Sequence, residues 1–88
     1  MTIDLTHIDT KADFHMLMKR ELHFPDWYGV SWDAFWDAII AVVEMPDTVM
    51  LQNWETFAAA CPKDMTILRQ IIEDYHQEKP GKQLLLVD

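Results

Sequence analysis

Three short apolar segments, far apart along the chain, constrain the fold most. Thr2 to His7 alternates apolar and polar residues, Thr48 to Gln52 has an apolar centre, and Leu84 to Val87 is apolar throughout. Helical patterns fill both long intervals between these predicted strands. Strands joined through helices usually run parallel in one sheet. Near-continuous apolar strands are typical of burial on both faces. The sequence therefore predicts a parallel three-stranded sheet covered on both sides.

The intervals between the strands contain four helical patterns. They span about Lys11 to Leu22, Trp32 to Val43, Trp54 to Ala60, and a longer stretch that Pro62 can start and that reaches Gln77. Their predicted N-caps, in the same order, are Asp9 or Thr10, Ser31, Asn53, and Asp64 or Thr66. We therefore predict an α/β fold, with a three-stranded parallel sheet packed against four helices in a single domain over residues 1–88.

Helical spacing of apolar residues predicts which faces are buried. The candidate core positions are Phe14, Leu17, Met18 and Leu22 on the first helix; Trp32, Phe35, Trp36, Ile39 and Val43 on the second; and Ile67, Leu68, Ile71, Ile72 and Tyr75 on the last. Trp36 falls between the apolar face of the second helix and its neighbouring face. We expect it to pack on the core with one edge near solvent.

The charge of the chain is strongly acidic and unevenly placed. The formal net charge is −8, and no Lys or Arg occurs between Glu21 and Pro62. Helical rotation predicts that Asp33, Asp37, Ile40 and Glu44 form one stripe on the second helix. Like charges four residues apart repel by about 0.2–0.5 kcal/mol. A cationic partner would offset this repulsion, so the stripe predicts such a partner. The same balance argues against direct binding of nucleic acid or of an anionic membrane surface.

Other site chemistry has weak support in the sequence. The four histidines, His7, His15, His23 and His76, show no metal-ligand spacing and are predicted to lie on the surface. Cys61 is the only cysteine and is expected to be a small, partly buried thiol. No nucleophile triad, phosphate loop or zinc-helix motif is present. We expect no metal, no cofactor and no enzymatic activity.

The N-terminus shows neither the basic start nor the long apolar run of a signal peptide. The longest apolar run, Ala38 to Val43, is too short for a transmembrane helix. A reducing cytoplasm and a monomeric state are the default expectations.

One dense motif resembles the barstar family. It reads Glu21-Leu22-x-x-Pro25-x-x-Tyr28-Gly29-x-x-x-Asp33-Ala34-x-Trp36-Asp37, followed by Glu44-x-Pro46. It covers about a quarter of the chain. Elsewhere the similarity is one of element order and length, in agreement with the fold predicted above. The resemblance implies an intracellular inhibitor that blocks the active site of a secreted bacterial ribonuclease, barnase, with its second helix and preceding loop.

The resemblance also implies roles for individual residues. Asp37 would occupy the phosphate-binding site of the enzyme, and Asp33 would make an acidic contact near the helix start. Trp27 falls where the family has a Tyr that stacks on a catalytic histidine. The remaining implied contact positions are Tyr28, Gly29, Trp36, Ile40, Glu44 and an acid on the last helix, for which Glu73 is the best match and Asp74 the alternative.

The chain departs from the family pattern in the loop and on the helix. Val30 and Ser31 replace polar residues, Trp32 replaces a smaller Leu, and Ile40 replaces a Thr that faces the enzyme. These changes make the contact region more apolar. They leave open a related ribonuclease, or another toxin, as the natural target.

Two other functions are compatible with a small acidic domain. An acyl carrier protein has a modified Ser at a helix start, where this chain has Ser31. Val30-Ser31-Trp32 lacks the carrier context, however, and the predicted strands do not fit an all-helical carrier. A nucleic-acid mimic that binds a basic partner other than a nuclease is the second alternative.

Overall fold

The computed structural model describes all residues, Met1 to Asp88, and confirms the predicted order of elements. The elements are β1 (Thr2–Asp4), α1 (Lys11–Glu21), α2 (Trp32–Asp37) with a π-helical continuation (Ala38–Val42), β2 (Thr48–Gln52), α3 (Glu55–Ala60), α4 (Pro62–Glu78) and β3 (Gln83–Val87).

The three strands form one parallel sheet in the order β1-β2-β3. Ile3 pairs with Leu51, and Leu51 pairs with Leu86, so β2 is the central strand. The predicted α/β architecture of three parallel strands and four helices is confirmed. It rules out an all-helical carrier fold.

The first strand ends earlier than predicted, at Asp4 instead of His7. A carboxylate oxygen of Asp4 accepts hydrogen bonds from the backbone N–H and the hydroxyl of Thr6, at 2.9 and 2.6 Å. The bonds from Thr6, together with one from the Asn53 side-chain amide, lower the pKa of Asp4 to about 2. Local side-chain bonding of this kind competes with a strand ladder and turns the chain.

The prediction that the sheet is buried on both faces is wrong. Val49 and Leu51 are fully buried, whereas Met50 between them is only half-buried. On β3 only Leu84 is fully buried. An apolar run in a strand does not require two covered faces, because an outward face can be partly shielded by its neighbours.

The main core contains a cluster of aromatic rings centred on Phe14. Its ring stacks on Phe57 with centroids 5.0 Å apart, and it lies 5.3 Å from Trp32 and 5.8 Å from Phe35. Each such pair contributes about 0.5–1.5 kcal/mol beyond the area that it buries. The cluster joins α1, α2 and α3 and fixes the position of α2.

Burial confirms most of the predicted core positions. Trp32, Phe35 and Ile39 are buried on α2, and Leu68, Ile71 and Tyr75 are buried on α4. Ile67 is the exception, because 41% of it is exposed. Its neighbour Leu68 occupies the core-facing position on that turn, which leaves Ile67 at the solvent boundary.

Two of the four predicted helix caps are confirmed. The Thr10 hydroxyl accepts from the Asp13 N–H at 3.1 Å at the start of α1. The Ser31 hydroxyl accepts from the Ala34 N–H at 3.0 Å at the start of α2. These bonds satisfy backbone donors that the first turn leaves free.

The caps predicted for α3 and α4 are wrong. Asn53 has a φ of 56°, and its side-chain amide donates to Asp4 instead of to a helix terminus. Asp64 accepts from the Trp32 indole, and the Thr66 hydroxyl donates to the Pro62 carbonyl. Helix α4 begins at Pro62, whose fixed φ suits the first helical position and which has no N–H to satisfy.

The second helix does not remain α-helical to its end. Residues Ala38–Val42 form a π-helical segment, closed by a bond of 3.1 Å from the Val43 N–H to the Ala38 carbonyl. β-Branched residues crowd this stretch, and no glycine provides a left-handed cap. The chain leaves the helix at Val43 in an extended conformation.

Candidate functional site

Two carboxylates on α2 form an exposed acidic face, which we define as Asp33 and Asp37. Both side chains lie at the surface, and neither takes part in any of the three ion pairs of the protein. Neither accepts a side-chain hydrogen bond. Arg69 packs instead over the Trp54 ring, with its guanidinium carbon 4.9 Å from the ring centroid. The acidic face therefore presents two uncompensated negative charges.

The loop of residues 25–31 lies beside this face. The Tyr28 N–H donates to the Pro25 carbonyl at 2.9 Å, and the Ser31 N–H donates to the Gly29 carbonyl at 3.0 Å. Trp27 projects outward from this turn and is 74% exposed. Its indole offers a large apolar surface that a partner could bury.

Tyr28 is placed differently from the prediction. It is only 8% exposed, its ring packs 4.7 Å from Phe24, and its hydroxyl bonds to Nδ1 of His15 at 2.5 Å. Burial raises the pKa of Tyr28 well above its ordinary value. The structure therefore assigns its side chain to the support beneath the surface, not to the surface itself.

A groove of about 390 Å³ separates the loop from α2 and its π-helical continuation. Its lining residues are Pro25, Trp27, Tyr28, Gly29, Ala34, Asp37, Ala38, Ala41 and Val42. Small side chains on α2 and its continuation make room for it, and Asp37 is the one acid in its lining. The groove thus combines an apolar lining with one acid.

Sequence reasoning did not select Val42 or the groove alanines as contact residues, and it named Val30 only as an apolar replacement in the loop. Val30 and Val42 are 47% and 42% exposed, and Ala34, Ala38 and Ala41 line the groove. The spacing of Ala34, Ala38 and Ala41 at i, i+4 and i+7 was a usable signal, because it predicts a strip of small residues along one helix side. The exposure of Val42 had no comparable signal.

Gly29 has no internal reason to be glycine. Its φ is not positive, and a Cβ added there would meet nothing within 4 Å. The loop could therefore take a small side chain at this position without strain.

Trp36 and Ile40 are both half-buried and pack against the core. The predicted mixed environment of Trp36 is confirmed. Ile40 keeps part of its surface exposed beside the acidic face, and both residues can contact a partner only through an edge.

Glu44 lies outside the stripe predicted for it. The helical segment ends at Val42 and Val43 is extended, so Glu44 lies beyond the helix. Its carboxylate is 95% exposed and lies 3.5 Å from the Lys82 ammonium, which also contacts Asp47 at 3.1 Å and donates to the Met45 carbonyl at 2.7 Å. The acidic stripe on the helix is therefore limited to Asp33 and Asp37.

Glu73 and Asp74 are both exposed on α4. Asp74 accepts a hydrogen bond of 3.0 Å from Gln70, whereas Glu73 has no side-chain partner. Tyr75 and Lys79 line a depression of about 460 Å³ together with Ile40 and Val43, which places this part of α4 beside the end of the second helix. Glu73 is the freer of the two acids.

The surface prediction for the histidines is wrong for His15, which is completely buried. Its ring lies 4.7 Å from Trp32, and its Nε2 has no hydrogen-bond partner. Burial is the main reason why the pKa of His15 falls to about 4, and the nearby Lys11 lowers it further. His76 is half-buried, and its Nε2 accepts from the Leu84 N–H at 3.1 Å. Only His7 and His23 are exposed.

Cys61 and Ser31 both take part in hydrogen bonds within the chain. Cys61 is half-buried as predicted, its thiol donates to the Asp9 carbonyl, and burial raises its pKa. Nowhere do three His, Cys, Asp or Glu side chains come together in a way that could hold a metal ion. The Ser31 hydroxyl is engaged in capping α2. None of the helices combines the length and apolarity needed to cross a membrane.

Comparison with known proteins identifies the family of this chain. The family model "Barstar (barnase inhibitor)" matches residues 1–87. The "Putative ribonuclease inhibitor YrdF" of Bacillus subtilis (strain 168) is 30% identical over 77 residues, which cover 84% of this chain and 81% of the relative. With the fold, the loop and the acidic helix already placed, these matches show that the chain belongs to the barstar family.

Proposed function

We propose that this protein inhibits a ribonuclease by inserting α2 and the loop of residues 25–31 into the cationic active-site cleft of the enzyme. The carboxylates of Asp33 and Asp37 would lie where the phosphates of RNA bind. The observation that supports this most directly is the acidic face itself, whose two carboxylates lie exposed on adjacent turns without a counter-charge from the chain.

The physical basis is that the partner supplies the missing cations. An enzyme that cleaves RNA presents Arg, Lys or His around the scissile phosphate. A carboxylate accepts two parallel hydrogen bonds from one guanidinium, and such charge-assisted bonds are stronger than neutral ones. Binding also removes the repulsion between Asp33 and Asp37. The long-range field of a chain with net charge −8 speeds encounter with a basic enzyme.

Apolar groups next to the acids would provide the remaining affinity. Trp27, Val30 and Val42 are exposed close to the groove, and Trp is common among residues that dominate binding energy. Gly29 fits this arrangement, because a partner that approaches its backbone closely would exclude a side chain there. Edges of Trp36 and Ile40 would extend the contact.

Two further acids would contribute at the rim. Glu44 would exchange its exposed pairing with Lys82 for a cation of the enzyme, at little cost, since exposed ion pairs contribute about 0–1 kcal/mol. Glu73 has no partner to exchange. Rim charges mainly affect the association rate, so we expect smaller losses there than at Asp37.

The proposed target is barnase or a related ribonuclease, and the proposed site of action is the cytoplasm. Trp27, Val30 and Ile40 place apolar surface at the edge of the contact region. They favour an enzyme that has apolar groups at the margin of its cleft, beside the cations that bind RNA. The protein would act as a monomer, because the acidic face and the groove must both be free.

Titration calorimetry with barnase, and with any basic protein captured from bacterial extract that cleaves RNA, tests the proposal. Asp37→Ala should cost about 2–5 kcal/mol, the usual result of truncating one partner of a buried charge pair. Asp88→Ala removes the same charge at the exposed C-terminus and should leave the affinity unchanged. Equal affinities for both variants, or binding without loss of RNA cleavage, would refute the proposed role.

A further inference from the structure

The loop that carries Trp27 and Gly29 is anchored to α1 by one buried side-chain hydrogen bond. It joins the Tyr28 hydroxyl to Nδ1 of His15, and His15 has no solvent-accessible surface. The rest of the loop is held by the two backbone bonds described above, by a bond of 3.3 Å from the Lys19 ammonium to the Asp26 carbonyl, and at its end by bonds of 3.0 Å from the Ala34 and Phe35 N–H groups to Ser31. Few bonds therefore hold the segment that forms one wall of the groove.

We propose that His15 is a positioning residue of the binding surface, whose neutral imidazole holds Tyr28 and the loop closed and whose protonation in acid releases the loop by local opening. This proposal rests on the proposed function in one respect only, namely that an open loop would weaken ribonuclease binding. The anchoring and the acid release are properties of the isolated protein.

A charged imidazole has no adequate partner in the closed structure. Protonation makes both ring nitrogens donors, yet Nε2 is buried without an acceptor. Phe14, Trp32 and Phe35 surround the ring and carry no charge. A buried cation without partners is costly, which agrees with the lowered pKa of His15.

The charged groups near His15 do not remove this cost. On α1 the flanking cations are Lys11 and Lys19, one turn on either side, and Lys11 disfavours a further positive charge. The nearest favourable charge is Asp64 on α4, whose carboxylate already accepts from the Trp32 indole at 2.9 Å. The loop contributes only the Tyr28 phenol, which stays neutral.

Opening of the loop exposes the charged imidazole to water at the lowest cost in free energy. The other neighbours of His15 belong to the aromatic cluster, which holds three helices together. Local openings use the segments with the fewest buried contacts and bonds, and here that segment is the loop. With a pKa of about 4 when closed and an ordinary value of 6.5 when open, the open fraction should rise about 25-fold from pH 7.5 to 5.0.

Amide hydrogen exchange of the isolated protein tests this. After correction for intrinsic rates, the protection of the Tyr28 and Ser31 amides should fall about 25-fold between pH 7.5 and 5.0. The free energy of opening given by these two amides should stay below the global free energy of unfolding from urea denaturation at both pH values, which distinguishes loop opening from unfolding of the domain. In His15→Gln, whose amide does not titrate, the fall should disappear, whereas the same substitution at exposed His23 should preserve it.

A second variant tests the hydrogen bond directly. Tyr28→Phe keeps the ring and removes the hydroxyl, so protection of the loop amides at pH 7.5 should fall about tenfold, as expected for one buried group left unsatisfied. Loop protection that does not depend on pH in the wild type, or wild-type protection in Tyr28→Phe, would overturn the proposal. These results do not involve a ribonuclease, so failure of the proposed function would appear separately, as absent inhibition at pH 7.5.

Discussion

The buried histidine predicts how the stability of the whole domain depends on pH. The pKa of His15 is about 4 in the folded protein and 6.5 for an ordinary histidine, so the unfolded chain binds more protons between these values. Stability therefore rises with pH across this range. It is fully present above pH 6.5 and is lost progressively as the pH falls towards 4.

The magnitude follows from the two pKa values. Each pKa unit corresponds to about 1.36 kcal/mol, so the full loss at pH 4 is about 3 kcal/mol, and about 2 kcal/mol of it should appear between pH 7 and 5. A domain of this size is stable by roughly 4–13 kcal/mol. The loss is a large part of that total, yet it leaves the protein mostly folded at pH 5.

Urea denaturation at half-unit steps from pH 7.5 to 4.5 measures this effect. The wild type should show the slope, and His15→Gln should be flat whatever its starting stability. His23→Gln exchanges an exposed histidine for the same amide and should retain the slope. Asp4, whose pKa is lowered to about 2, loses its contribution only below its ordinary value of 3.8 and does not overlap this range. Parallel slopes in wild type and His15→Gln would refute the reasoning.

Three further substitutions test the structure. Gly29→Ala should raise the free energy of unfolding by about 0.4–1 kcal/mol, because the backbone and the space permit a side chain. The same substitution should weaken ribonuclease binding in calorimetry. Tighter binding would contradict the proposed contact at Gly29. Phe14→Ala should cost about 3–5 kcal/mol in urea denaturation, since it empties the centre of the aromatic cluster. Asp64→Ala should cost about 1–3 kcal/mol by leaving the buried Trp32 indole N–H without its acceptor, and a cost no greater than that of Asp74→Ala, at an exposed acid on the same helix, would contradict this assignment.

The sequence predicted the elements well where a feature depends only on residues close together in the chain. The caps at Thr10 and Ser31 are confirmed because a hydroxyl there reaches the free N–H groups of the first turn. Strand β2 has the predicted bounds. The caps failed at Asn53 and Asp64 because distant residues, Asp4 and Trp32, engage those side chains instead.

In the candidate site, too, some features depend on the local sequence and others depend on tertiary structure. The exposure of Asp33 and Asp37 followed from helical rotation alone. Glu44 lies outside that stripe because the helix ends in a π-helical segment. The sequence contains no clear signal for this segment. The groove depends on how the loop folds over α2, which a one-dimensional pattern does not describe.

The sequence by itself determined the order of elements, the parallel sheet and the acidic character of one helix face, because these depend on spacing along the chain and on residue type. Only the tertiary structure decided which positions are deep inside. His15 and Tyr28 are polar residues 13 positions apart that form a buried hydrogen bond, whereas Ile67 remains at the surface. Periodicity assigns a residue to a side of a helix, but its depth depends on what another segment places over it.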